Sequence, residues 1–108
     1  MLNQIVLVGR LVSDPQINET ESEKKVCTIT LAVPRSYKNI DGEYETDFID
    51  ITLWQNIAEQ TSEWCKKGDL IGIKGRIQTY MKDDNKITQL IAEKVSFLSS
   101  KANKDNEE

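Results

Sequence analysis

A chain of 108 residues, 30% charged and 38% hydrophobic, is sized for one small soluble domain with a modest core. No apolar run approaches the roughly 20 residues of a membrane span. Without a histidine there is no His-based triad or His metal site, and the net charge of −4 speaks against a uniformly basic, phosphate-coating surface.

The chain enters a strand at once. Residues 2–12 carry the apolar run Ile5-Val6-Leu7-Val8, which reads as covered on both faces or paired with a second subunit. Gly9 interrupts the run where a bulge or bend would curl a sheet, and Asp14-Pro15 ends it. The N-terminus lacks the basic, apolar and small-residue segments of a secretory leader. A cytoplasmic protein with Cys27 and Cys65 buried and reduced is therefore expected.

Residues 16–25 form a polar, acid-rich loop. Residues 26–33 form the second strand, in which Cys27, Ile29, Leu31 and Val33 alternate with Thr28, Thr30 and Ala32. Pro34 closes it, since proline cannot donate to a ladder. Residues 35–45 are a long hairpin tip with Arg35, Tyr37 and Lys38 on one limb, and Asp41-Gly42 supplies its turn.

The third strand, residues 46–56, has two unlike faces. Ile49, Ile51 and Leu53 share the core face, while Phe48, Asp50, Thr52 and Trp54 share the other. Two large rings among small polar groups fit neither a core nor a solvent face. They fit a ligand with flat rings and polar linkages, of which single-stranded nucleic acid is the commonest. A covering loop or a second subunit would account for them equally well.

Residues 56–67 form the one helix. Asn56 is its N-cap, Ile57, Ala58, Thr61, Trp64 and Cys65 its packed stripe, Lys66 and Lys67 its last turn, and Gly68 its C′ residue. This stripe places Trp64 in the core. The fourth strand, residues 69–81, sets Ile71, Ile73, Gly75 and Ile77 against a face of Gly72, Lys74, Arg76, Gln78 and Tyr80. A polar tip follows, then the last strand at residues 87–98, and residues 99–108 are a polar tail expected to be disordered. The order predicts an all-β fold with one helix. It is an OB-fold, a five-stranded antiparallel Greek-key barrel with a helix between strands 3 and 4, spanning residues 1–98. That fold binds its ligands around strands two and three, where Phe48 and Trp54 stand.

Catalysis finds no support. Asp47 and Asp50 fall on opposite faces of a strand, two cysteines are too few for a thiolate zinc site, and no glycine-rich phosphate loop occurs. No metal or cofactor is expected.

The segment from Leu2 to Pro15, Leu-Asn-Gln-Ile-Val-Leu-Val-Gly-Arg-Leu-Val-Ser-Asp-Pro, resembles the opening of the bacterial single-stranded DNA-binding proteins. Thr30-Leu-Ala-Val33, Asp47-Phe-Ile49 with Trp54, Ala58-Glu59, Lys67-Gly68-Asp69 and Gly75-Arg-Ile-Gln-Thr79 continue the likeness in order. The resemblance implies a homotetramer that binds single-stranded DNA with little sequence preference and protects exposed strands in replication, recombination or repair. Tyr37, Phe48 and Trp54 occupy aromatic positions of the family. The family's usual fourth aromatic falls near Lys82, where this chain has none, and Tyr80, two residues earlier on the same face, would substitute. Asp50 stands where some members carry a basic residue.

Bases would stack on Tyr37, Phe48, Trp54 and Tyr80, and phosphates would follow Arg10, Arg35, Lys38, Lys74 and Arg76. For any one of these cations the plain alternative is a solvated surface charge. The family's tail ends in an acidic, hydrophobic tip that recruits protein partners, whereas this chain stops at Asp-Asn-Glu-Glu. Tail-mediated partners are thus not expected. The chain reads as a short member, as from a phage or mobile element, or as one trimmed at its end. Two rival classes stay open: an OB-fold protein-interaction module of a replication assembly, and an oligosaccharide binder.

Overall fold

Alternation along two long strands builds the inside of the barrel. The computed structural model describes residues 1–100. Its elements are β1 (Ile5–Leu11), β2 (Asn18–Glu19), β3 (Lys25–Lys38), β4 (Tyr44–Trp54), α1 (Gln55–Trp64), β5 (Leu70–Lys82) and β6 (Asn85–Ser99). Across the β3–β4 ladder Cys27 faces Leu53, Ile29 faces Ile51 and Leu31 faces Ile49. Together with Leu11, Ala58, Cys65, Ile71, Ile73 and Ala92 these side chains form the core, with Ile49 packed at its edge.

The sheet closes on itself through the order β1-β5-β6-β4-β3-β1. The β1–β3 seam is short, Arg10 to Ala32 and Leu11 to Leu31, and the β4–β6 seam is a single parallel pairing, Thr52 to Ile91. This is the OB-fold barrel expected from the order of elements, with one parallel seam among antiparallel ones. The acid-rich loop contributes β2, a two-residue strand pairing Asn18 with Val26 and Glu19 with Lys25. The helix therefore falls between the fourth and fifth strands by number, in the same place in the topology.

Several boundaries differ from expectation for local reasons. Gln55 adopts a left-handed φ of 56° and turns the chain directly from strand into helix, so Trp54 is the N-cap and Asn56 lies inside the first turn. The helix stops at Trp64, and Cys65 is extended, its N–H bonded to the Thr61 carbonyl at 2.9 Å. Cys65 is buried by this early stop, and Trp64 is left 73% exposed, outside the core assigned to it. Lys66 and Lys67 then sit in a turn rather than at a helix dipole. The Lys66 and Lys67 N–H groups donate to the Asp69 and Asp14 carboxylates, each at 2.8 Å. Gly68 takes φ 92° and donates to the Leu11 carbonyl at 2.8 Å.

β3 does not end at Pro34 but runs on to Lys38, with a register shift between the two. Beyond Ala32 its other edge has no strand partner among the described residues, so the missing proline N–H costs no ladder bond there. Ile77, on the strand face of Ile71 and Ile73 by alternation, is 41% exposed because the β5–β6 hairpin outruns the barrel. The Asn3 side chain clasps its backbone in two directions, accepting from the Ile77 N–H at 2.9 Å and donating to the Ile77 carbonyl at 2.6 Å. Gly9 makes no bulge against β5, its pairing with Ile71 being in register, and its need is space: a Cβ there would lie 2.7 Å from the Ala32 carbonyl oxygen. The expected tail lies outside the described residues from position 101 onward.

Candidate nucleic-acid interface

Strand direction creates a trough. β4 and β6 run parallel, and among the described residues their one ladder pairing is Thr52 to Ile91. The residues before that contact belong to two hairpin arms, β3–β4 and β5–β6, so both arms leave the barrel in the same direction. At about 3.3 Å per residue, Phe48 stands roughly 13 Å out along the first arm.

The first arm presents rings over a floor of small side chains. On β4 the face of interest pairs with β3 as Phe48 to Ala32, Asp50 to Thr30, Thr52 to Thr28 and Trp54 to Val26. Ala32 is too small to cover a ring, and Phe48 is 67% exposed. Trp54 is half-buried at the strand end. Asp50 is exposed, and its Oδ1 accepts from the Thr30 hydroxyl at 2.6 Å. Tyr37 and Tyr44 are both exposed on this arm. Lys38 lies opposite Tyr44, its Nζ 5.8 Å from the ring centroid in a cation–π contact.

Tyr44 is a ring that the sequence reading missed. It shares parity with Phe48 and Trp54, so alternation alone puts it on their face; starting the strand at residue 46 hid it.

The second arm reaches this face through hydrogen bonds. Arg76 Nη2 donates to Gln78 Oε1 and Gln78 Nε2 to Gln89 Oε1, both at 3.4 Å, and Gln89 Nε2 donates to the Thr52 hydroxyl at 3.0 Å. This chain spans β5, β6 and β4 across the floor of the trough and ties Arg76 to the aromatic face. It also satisfies Thr52, which is buried. Arg76 has a second, loose partner in Glu93 at 3.4 Å. Tyr80 is exposed near the arm's tip, opposite Ile87. Lys74 is one step outside the trough, on the barrel exterior between Val6 and Lys94.

Two of the expected phosphate contacts are already engaged. Arg35 forks onto Asp47, with Nε to Oδ2 at 3.1 Å and Nη2 to Oδ1 at 3.0 Å, and its Nη1 reaches Glu45 at 2.5 Å. The Asp47 hydrogen bonds, then its charge and that of Glu45, push the Arg35 proton affinity further up. In return, the Arg35 hydrogen bond holds the Asp47 carboxyl below the usual carboxylate range. Arg10 shares a cross-strand row with Ala32 and Phe48, yet its Nη1 donates to the Gly68 carbonyl at 2.9 Å. Lys38 and Lys74 have no ion pair among the described residues. No cluster of three or more metal-ligating side chains occurs among the described residues.

A closed Greek-key barrel with exposed rings and cations along two parallel arms belongs to the class of OB-fold binding proteins. Residues 2–98 match the family model described as the Single-strand binding protein family, and the chain belongs to that family. It is 42% identical over 106 residues to Single-stranded DNA-binding protein B of Bacillus subtilis (strain 168), covering 94% of each chain. It is 46% identical over 108 residues to Single-stranded DNA-binding protein 3 of Listeria innocua, covering 95% of this chain and 68% of that one. The Single-stranded DNA-binding protein of Streptococcus mutans is 41% identical over 112 residues, covering 99% of this chain and 68% of its own length. Membership makes the chain a binding protein and not an enzyme.

Proposed function

We propose that this chain binds single-stranded DNA with little sequence preference and so protects exposed strands in replication, recombination or repair. Residues 1–98 would be the binding domain and residues 99–108 a polar tail. One observation carries the reading: the two arms leave the barrel side by side, with Phe48, Tyr37 and Tyr44 exposed on one and Tyr80 on the other. Every base has a π face, so stacking on these rings and on Trp54 tolerates any sequence. Arg76, Lys38 and Lys74 follow the phosphates. Arg35 and Arg10 act at one remove, bracing the first arm and the Gly68 turn. Duplex DNA binds poorly, because its bases already stack on each other.

The test is a fluorescence titration with oligo-dT at low and high salt in a Trp64→Phe background, where Trp54 alone reports. The expected result is quenching, with affinity falling in salt at a log–log slope near −2 for three phosphate contacts on a single strand (about −0.7 each). A folded protein that shows no quenching and no binding would reject this reading in favour of a protein-interaction module.

The chain would act as a homo-oligomer, a tetramer by the pattern the resemblance implies. Val6 and Val8 point outward from β1, an exposed apolar row on a strand read from sequence as doubly covered. A second subunit would supply the missing cover. Light scattering is expected to give four times the chain mass, and a monomer at micromolar concentration would overturn the assembly. A cytoplasmic, nucleoid-associated location suits this reading. Among the described residues no helix is long and apolar enough to cross a membrane.

A further inference from the structure

We infer that Glu45 and Asp47, two carboxylates on an arm that meets a polyanion, tighten its binding rather than weaken it. With Arg35 and Asn39 they are positioning residues that hold the outer half of the first arm in place. The inference rests on the single-strand reading above.

The ladder of that arm is broken. β3 and β4 pair without interruption from Val26–Trp54 to Pro34–Thr46, and next at Lys38–Tyr44. Between those pairings Arg35, Ser36 and Tyr37 face Glu45 alone. Pro34, at the edge of the break, has no N–H to donate. A two-stranded hairpin on its own is marginal in water even with an intact ladder. Yet Tyr37 lies in the break, and Lys38 and Tyr44, with their cation–π contact, lie beyond it.

Side chains span the gap. Arg35 forks onto Asp47, on the paired side of the break, at 3.1 and 3.0 Å, and its Nη1 donates to Glu45 Oε2 within the break at 2.5 Å. Glu45 Oε1 accepts from Asn39 Nδ2 at 3.4 Å. Asn39 gathers the tip: its Oδ1 accepts from the Asp41 and Glu43 N–H groups at 2.9 Å each, its N–H donates to the Glu43 carbonyl at 2.7 Å, and its carbonyl accepts from the Gly42 N–H at 3.0 Å. The contacts run Asp47–Arg35–Glu45–Asn39, from the intact ladder to the tip. A lone exposed ion pair contributes little, whereas a bidentate fork within a network holds its geometry. Glu45 and Asp47 share the parity of Ile49, so they stand on the side of the arm away from Phe48 and Tyr44. They hold the rings from behind, off the face that phosphates reach. A ring fixed before DNA arrives spares the cost of ordering it on binding.

The experiment titrates oligo-dT by anisotropy, across a range of salt, into wild type, Glu45→Gln, Asp47→Asn and Glu43→Gln. It adds Lys38→Ala/Tyr44→Ala with and without Glu45→Gln, and a thermal unfolding midpoint for each protein. Charge counting alone predicts that loss of any carboxylate tightens binding. The expected result is the reverse: Glu45→Gln and Asp47→Asn bind about three- to tenfold more weakly, the cost of ordering a few side chains at the moment of binding. Their salt slope and unfolding midpoint stay at the wild-type values, since neither residue touches a phosphate or belongs to the core. Glu43, on the same arm, has no ion pair among the described residues, and Glu43→Gln does not weaken binding. In the Lys38→Ala/Tyr44→Ala background Glu45→Gln loses most of its effect, because the contacts it positions are gone. Tighter binding with a slope steeper by about 0.7 would make Arg35 a masked phosphate ligand and overturn the inference. Unchanged affinity in both variants, a loss matched by a fallen midpoint, or an equal loss with and without Lys38 and Tyr44 overturns it as well, with oligo-dT still bound by wild type. Failure of the wild type to bind overturns the single-strand reading and this inference with it.

Discussion

Phe48→Ala is expected to weaken oligo-dT binding about tenfold or more while leaving the unfolding midpoint in place. Loss of one stacked base removes roughly 1–3 kcal/mol of binding. Phe48 offers that contact with little else attached. It is 67% exposed, faces only Ala32 across the ladder and lies outside the core cluster. A surface ring of this kind contributes within about 0.5 kcal/mol to stability. Trp54 makes a less clean probe, since it is half-buried and caps the helix, so its removal would mix binding with folding. Affinity would be read by anisotropy and stability by urea denaturation on the same samples. Unchanged affinity in a folded Phe48→Ala protein would take the first arm out of the site.

The arms explain which parts of this site could be read from sequence. Face identity follows parity, and parity is local, so Phe48, Asp50, Thr52 and Trp54 emerged together from alternation along one strand. The residue order sufficed for the barrel as well, because the hairpins and the single helix leave few ways to close it. What lay hidden was relational. Nothing local to Arg35 reveals that Asp47 and Glu45 will meet it across a hairpin, or that Arg10 will turn to a carbonyl 58 positions away. Gln89 looks like any polar strand residue until β6 is laid beside β4, where it becomes the link between Thr52 and the second arm. Trp64 misled for a different reason. Helical periodicity marks the apolar side of a helix and not where it stops, and a helix that ends at Trp64, three residues early, keeps Cys65 inside but leaves the indole outside.

Gly75→Ala is expected to lower the unfolding free energy by about 3 kcal/mol or more, a large share of the 5–15 kcal/mol of a typical domain. The cause is space rather than backbone freedom, for Gly75 is not among the glycines with positive φ. The β5–β6 ladder shifts register here: Lys74 pairs with Lys94 and Gly75 with Ala92, leaving Glu93 without an opposite residue. This bulge drives the Ile91 carbonyl oxygen to 2.0 Å from where a Gly75 Cβ would sit, with the Ile91 carbonyl carbon at 3.0 Å and the Ala92 Cα at 3.2 Å. All three are backbone atoms and cannot swing aside as a side-chain tip would.

Ile91 is also the one residue that pairs with β4, at Thr52, so a methyl group at Gly75 strains the seam that closes the barrel. A fall in Tm of more than about 10 °C is expected for a domain of this size. Gly42→Ala is the control, because Gly42 has φ 78° and nothing within 4 Å of its Cβ position. It pays only the left-handed penalty of about 1–2 kcal/mol. Any Gly75→Ala protein that stays folded should also lose oligonucleotide affinity, since the displaced seam holds the floor from which both arms spring. Stability and binding then fall together, where Phe48→Ala separates them. A Gly75→Ala protein with wild-type stability would show that the carbonyl of Ile91 does not approach Gly75 as described.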